Sequence, residues 1–185
     1  MKLKIFICII SVFSLVVLIY FENHSLPSDN LALVQNRITT ENHIQNALIV
    51  PDFNFTVFDI PSNELIYKNF YDIKTSDIII HFWATWCNVC KKELPDLIHY
   101  AQQHPDTTIL AISIDDDISH FMEYMVEIKD KANLAQINNL LFVSDNTKEI
   151  SLGLFNTEIV PENYFIKFLN NQYIISDKKI GKYSW

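Results

Sequence analysis

The sequence predicts an α/β fold in which a central mixed β-sheet is flanked by helices. Residues 77–83 and 107–115 are continuous apolar runs, which is typical of strands buried on both faces of a sheet. Segments 87–104 and 118–133 follow these runs and read as helices; in the first, apolar residues recur at a spacing of three to four. This alternation of strand and helix indicates parallel strands joined by crossover helices.

The other segments predict the remaining elements of the same sheet. They are strands at 53–60, 66–70 and 140–143, a short helix at 147–154, and a hairpin of strands at 164–169 and 172–176. Pro95 lies inside the first long helix and predicts a kink there. The acidic run 115–117 predicts an N-terminal cap for the second long helix.

The N-terminus predicts a membrane segment. Lys2 and Lys4 precede an apolar run over residues 5–21, which as a helix would span roughly 26 Å. We therefore expect an N-terminal transmembrane anchor or signal segment at 1–21, a polar linker at 22–49 and a folded domain at 50–185. The lysines favour a cytoplasmic N-terminus, so the domain is expected outside the cytoplasm. A cleaved signal peptide is the alternative, although no convincing small-residue cleavage site follows the run.

Composition excludes several classes of function. The formal net charge is −8 and Arg37 is the single arginine, which argues against a nucleic-acid partner. With two glycines among 185 residues, the sequence has no glycine-rich phosphate loop. Its three cysteines are too few for a disulfide scaffold, and no second cysteine pair or histidine pair completes a zinc site. We expect neither a cofactor nor a metal.

Cys87 and Cys90 are the candidate catalytic residues. They are three positions apart, directly after a predicted buried strand and at the start of a predicted helix. A helix N-terminus stabilises a thiolate and makes it a nucleophile near neutral pH. Cys87 is expected to be the nucleophile, and Cys90, one turn into the helix, the resolving thiol.

Two motifs resemble the thioredoxin-like superfamily. They are Phe-Trp-Ala-Thr-Trp-Cys-Asn-Val-Cys-Lys-Lys-Glu-Leu-Pro at 82–95 and Val-Pro-Glu-Asn-Tyr-Phe-Ile at 160–166. They are similar to the TlpA/ResA type, whose members are membrane-anchored extracytoplasmic thiol–disulfide oxidoreductases, and the resemblance covers about residues 50–176. It implies a thioredoxin-like fold, a cis Pro161 packed against the cysteine pair, and a Val160 backbone free to pair with a substrate peptide.

The resemblance also directs attention to three supporting residues. Trp86 flanks the cysteine pair, and Glu93 matches a glutamate that influences thiol ionisation in the ResA branch; the alternative is a solvated first-turn glutamate. His81 occupies a position beneath the cysteine pair where thioredoxins carry a buried aspartate. There it could take a proton from Cys90, or it could be a hydrogen-bonded core histidine.

The sequence departs from the family at two places. No proline precedes Cys90, since Asn88 and Val89 separate the cysteines, which leaves the redox direction open. The chain also stops at Trp185, where the family continues into a terminal helix, so one side of the sheet is under-covered or the linker packs there.

The expected function is extracytoplasmic thiol–disulfide exchange through Cys87 and Cys90. The expected partners are a disulfide-bearing protein substrate, a membrane electron donor or acceptor, and the membrane itself through the N-terminal segment. A cytochrome c maturation-like role, reducing protein disulfides, is what the resemblance implies. Two alternatives are a peroxiredoxin-like peroxidase and a non-catalytic tethered module that binds haem or apocytochrome.

Overall fold

The computed structural model describes residues 48–185, and the expected membrane segment and most of the expected linker lie outside them. Seven strands form one sheet. They are β1 (Asn54–Asp59), β2 (Glu64–Asn69), β3 (Asp77–Trp83), β4 (Thr107–Ser113), β5 (Leu140–Ser144), β6 (Glu162–Leu169) and β7 (Gln172–Ile180). Helix α1 (Asn88–Gln103) joins β3 to β4, and helix α2 (Ile118–Lys131) joins β4 to β5.

The sheet is mixed, with strand order β2-β1-β5-β4-β3-β6-β7. Strands β3, β4 and β5 are parallel neighbours, and antiparallel strands flank them on both sides. The parallel strands are the apolar runs of the sequence, because crossover helices and neighbouring strands bury them. The predicted thioredoxin-like α/β architecture is confirmed.

Helix α1 carries the cysteine pair at its N-terminus. Its buried residues recur at spacings of three and four, so they form one face: Cys90, Glu93, Leu94, Leu97, Ile98 and Ala101. Cys87 is the N-cap, and the helix begins at Asn88. It continues as one helix through Pro95, although that residue supplies no backbone N–H to the Lys91 carbonyl.

Both long helices pack on one face of the sheet. On β3, His81 and Trp83 point to the same face because side chains alternate along a strand. The Trp83 ring contacts Phe121 and Tyr124 of α2, at centroid distances of 6.4 Å and 5.5 Å. Phe82 points to the opposite face and contacts Phe155, 5.4 Å away, next to a short π-helix at Glu149–Leu154.

Three local expectations change in the structure. The short helix predicted at 147–154 is the π-helix, whose N-terminus is held by the Asp145 carboxylate through the backbone N–H groups of Ile150 and Ser151. Of the acidic run, only Asp117 caps α2, by accepting from the Ser119 N–H at 2.9 Å. Strand β7 runs four residues beyond the predicted hairpin, because it stays paired with β6 up to Glu162.

Candidate active site

The cysteine pair lies at the start of α1, joined as a disulfide with the Cα atoms 5.3 Å apart. Cys87 is 8% exposed and Cys90 is 1% exposed, so Cys87 is the more accessible sulfur. The Cys90 backbone N–H donates to Cys87 Sγ at 3.1 Å. This first-turn N–H, which has no carbonyl partner within the helix, and the helix dipole stabilise negative charge on Cys87 when the pair is reduced.

The loop before Cys87 is anchored by a buried carboxylate. Thr85 donates twice to Asp115, from its backbone N–H at 3.0 Å and from its hydroxyl at 2.7 Å. The Ser113 hydroxyl donates to the same carboxylate, which is almost inaccessible to solvent. Asp115 follows β4 directly, so this contact joins the end of one strand to the cysteine loop of its neighbour.

A second loop faces the cysteine pair from the end of the sheet. The Val160–Pro161 peptide bond is cis, as the resemblance implies. Cys87 Sγ lies 3.9 Å from the Val160 carbonyl oxygen. The structure therefore brings Val160 and Pro161, more than seventy positions along the chain, against the nucleophile candidate.

The next residue in that loop, Glu162, is buried but paired. Its carboxylate lies 2.7 Å from Lys178 Nζ of β7. Burial opposes the charge on Lys178, but the hydrogen bonds to Glu162 and Tyr164 outweigh burial and raise the lysine pKa. The pair fixes β7 to the start of β6, directly behind Pro161.

Glu93 is fully buried, which rules out the solvated alternative. It stands one turn beyond Cys90 on the same face of α1. Its Oε1 accepts a hydrogen bond from the Tyr183 backbone N–H, and its Oε2 has no hydrogen-bond partner among residues 48–185. Burial raises the pKa of the Glu93 carboxyl, and the Tyr183 N–H and nearby Lys182 only partly offset that rise.

His81 is buried on β3, opposite Asn163 of β6. Its Nδ1 lies 2.7 Å from Asn163 Oδ1, so with the amide oxygen as acceptor the ring carries its proton on Nδ1 and Nε2 is an acceptor. Burial lowers the pKa of His81 to about 4, against a partial rise from the Asn163 bond. The imidazole is therefore neutral at physiological pH.

The surface around the cysteine pair is apolar and accessible. Trp86 is 62% exposed, and Val89, between the two cysteines, and Ile159, next to Val160, are exposed as well. Within residues 48–185, no three histidine, cysteine, aspartate or glutamate side chains are arranged to hold a metal ion. No helix in this described part of the chain is both long and apolar enough to cross a bilayer.

Comparison with known proteins now identifies the family. The AhpC/TSA family profile matches residues 49–178, most of the described chain. The chain belongs to the AhpC/TSA family. The names of its relatives agree with the TlpA/ResA-type resemblance of the two motifs.

Two relatives illustrate the match. The thiol:disulfide interchange protein DsbE of Pseudomonas aeruginosa is 28% identical over 129 residues, covering 69% of this chain and 64% of the relative. Sporulation thiol-disulfide oxidoreductase A of Bacillus subtilis is 35% identical over 108 residues, covering 58% of this chain and 61% of the relative. The chain therefore matches somewhat less than two thirds of the length of these two relatives.

A solved structure supports the fold. The crystal structure of StoA from Bacillus subtilis superposes with a TM-score of 0.52 at 23% identity, over 74% of this chain and 92% of that one. Similarity at this level of identity confirms the thioredoxin-like fold of this AhpC/TSA-family chain and nothing beyond the fold.

The sequence identified the cysteine pair, Trp86, Glu93, His81 and the Val160-Pro161 loop, and the structure gathers these at one end of the sheet. The sequence analysis did not predict the residues that form hydrogen bonds with them. Asp115 was visible as a carboxylate ending a buried strand, a position that favours a site. Asn163 and the C-terminal residues gave no signal, because only strand register and tertiary packing bring them to His81 and Glu93.

Proposed function

We propose that this chain is a thiol–disulfide oxidoreductase whose nucleophile is Cys87 and whose resolving thiol is Cys90. The observation that carries the proposal is the redox-competent pair itself. A disulfide joins the N-cap to the first turn of α1, and the Cys90 N–H donates to the more accessible sulfur. The printed names of the two relatives describe the same chemistry.

The reaction proceeds in two exchanges. The Cys87 thiolate attacks a partner disulfide, forms a mixed disulfide and expels one partner thiolate. Cys90 then loses its proton and attacks Cys87 Sγ, which breaks the mixed disulfide and releases the second partner thiolate. The partner gains two electrons and the cysteine pair is oxidised, as it stands in the structure.

The supporting residues act on binding and proton transfer. An extended substrate peptide pairs with the Val160 backbone, next to Cys87, while Pro161 shapes that loop. Exposed Trp86 supplies apolar contact area beside the nucleophile. Glu93 and His81 are the buried groups able to exchange a proton with Cys90.

The proposed substrates are protein disulfides outside the cytoplasm, which the chain would reduce in a process like cytochrome c maturation. A membrane donor supplies electrons to the pair. Residues 1–21 anchor the chain and the domain faces the periplasm or the outer side of the cytoplasmic membrane. The lysine-flanked apolar run supports this location, and the acidic composition favours protein substrates over nucleic acid.

Trapping experiments with single-cysteine variants test the proposal. Cys90→Ser should accumulate mixed disulfides through Cys87, because resolution is blocked. Cys87→Ser is the matched control and should trap few, because Cys90 is nearly inaccessible. Equal trapping by both variants, or trapping by neither, would reject this assignment of roles.

The same variants separate the rival functions. A peroxidase would consume hydroperoxide through Cys87 at a rate far above its exchange with protein disulfides. A binding module would retain its affinity for haem or apocytochrome after both cysteines are replaced. The oxidoreductase is expected to lose exchange entirely in the double variant.

A further inference from the structure

The last five residues, Gly181–Trp185, run from the Pro161 loop to helix α1, and we call them the C-terminal strap. The Gly181 N–H donates to the Pro161 carbonyl at 2.8 Å. The Tyr183 N–H donates to Glu93 Oε1. The strap therefore links the loop that faces Cys87 to the helix that carries Cys90.

Trp185 closes the end of the strap over the buried groups. Its ring lies edge-on to His81 at 5.7 Å and against Tyr100 of α1 at 5.6 Å. Tyr183 packs on Trp185 at 5.0 Å and on Phe165 at 5.4 Å. These aromatic contacts lie on the α1 side of the sheet, where the missing terminal helix left two alternatives, an under-covered face or a packed linker.

Two buried polar atoms at the strap lack hydrogen-bond partners within the part of the chain that the structure describes. Among residues 48–185, neither Glu93 Oε2 nor Trp185 Nε1 has a hydrogen-bond partner, and both are inaccessible to solvent. An unpaired buried carboxyl oxygen costs free energy, and such a cost is retained where the group has a task. The charges acting on Glu93 are Lys182 on the strap and Asp96 on α1, while His81, on the same face of the sheet as α1, is neutral.

We propose that the strap is a positioning element for the resolving step, in which it holds the Glu93 carboxyl dry and one helical turn from Cys90 so that Glu93 exchanges a proton with that thiol. The Tyr183 N–H fixes one carboxylate oxygen. Trp185 packs on Tyr183 and so holds the strap in the position where the other oxygen is inaccessible to solvent. The proposal rests on the proposed oxidoreductase function and adds to it a part of the chain that lies outside both family motifs, 82–95 and 160–166.

The proton balance is simple. The Glu93 carboxylate takes the proton of Cys90 Sγ, and the resulting thiolate attacks Cys87 Sγ and displaces the partner thiolate. When the pair is reduced again, Cys90 recovers the proton from Glu93. Dehydration suits the carboxyl to this task, because it brings the proton affinity of a carboxylate closer to that of a thiol.

The test is stopped-flow reaction of the reduced full chain, in mild detergent, with a nitrobenzoate disulfide that releases a coloured thiolate. The fast phase reports attack by Cys87 and the second phase reports resolution by Cys90. Trp185→Ala should leave the fast phase unchanged. It should slow the second phase by up to about tenfold and lower its apparent pKa by about one pH unit, because water reaches Glu93.

Two further variants make the test specific. Trp185→Phe keeps the ring contacts and should behave like the parent chain. Glu93→Gln keeps an acceptor for the Tyr183 N–H and should remove the pH inflection of the second phase, with a loss of about 10²-fold in rate. Glu93→Gln leaves the strap intact, so an unchanged pH inflection in this variant can overturn the proposal even if Trp185→Ala does not fold.

The outcomes are distinct. A purely structural strap would lower the melting temperature of Trp185→Ala while its second-phase rate and pH inflection matched the parent chain, and that result overturns the proposal. An unchanged inflection in Glu93→Gln overturns it as well. If the parent chain itself shows no fast phase, the result rejects the proposed oxidoreductase function. The role proposed for the strap is then rejected as well, because it rests on that function.

Discussion

Asp115 offers a sharp test of how the cysteine loop is held. Its carboxylate accepts two hydrogen bonds from Thr85 and one from Ser113, in a site with 2% exposure. Asp115→Asn keeps the shape, but replaces one acceptor oxygen by an NH2 group that faces donors. One bond is lost and the others lose their charge assistance.

The magnitude follows from those bonds. A hydrogen bond to a charged group contributes about 1.5–3 kcal/mol and a neutral one about 0.5–1.5 kcal/mol. Allowing for the smaller desolvation cost of asparagine, we expect the free energy of unfolding to fall by about 2–4 kcal/mol. For a domain of this size the melting temperature should fall by roughly 10 °C.

The assay is equilibrium urea unfolding of the full chain in mild detergent, with thermal melts alongside. Asp117→Asn is the matched control, because it makes the same chemical change at an exposed N-cap where asparagine caps as well as aspartate. Its stability should stay close to that of the parent chain. A loss below about 1 kcal/mol for Asp115→Asn would refute the argument that this carboxylate anchors the loop.

Two further predictions concern His81 and the N-terminus. Burial keeps His81 neutral with a pKa of about 4 in the folded state, against about 6.5 for an unperturbed histidine, so its contribution to stability is present above about pH 6.5 and lost as pH falls towards 4. Between pH 7 and pH 4 the parent chain should therefore lose about 3 kcal/mol more than His81→Asn, measured by denaturant unfolding, and parallel curves would contradict the shift. A reporter fused after Trp185 should be active outside the cytoplasm and remain with the membrane fraction; a cytoplasmic signal would exclude the proposed location.

Much of the molecule was determined by the sequence alone. Buried strands β3 and β4 are continuous apolar runs because both faces of a parallel sheet are covered. An unbroken apolar run of this length therefore indicates a strand buried on both faces. The position of the cysteine pair was equally predictable. A strand, a short turn and the first residues of a helix follow one another in the sequence, and this local order puts Cys87 at a helix N-terminus without any distant contact. Local physics was sufficient for each of these features.

Tertiary structure decided what surrounds that pair. The sequence leaves Glu93 open to a solvated first-turn position; tertiary packing buries it, and burial is what raises its pKa. His81 acquires its tautomer from Asn163, a partner supplied by the register of β3 and β6. Burial and long-range hydrogen bonds depend on residues distant in the chain, so composition and spacing do not predict them. The helix N-terminus that stabilises a thiolate, in contrast, is formed by the residues next to the cysteine in the sequence.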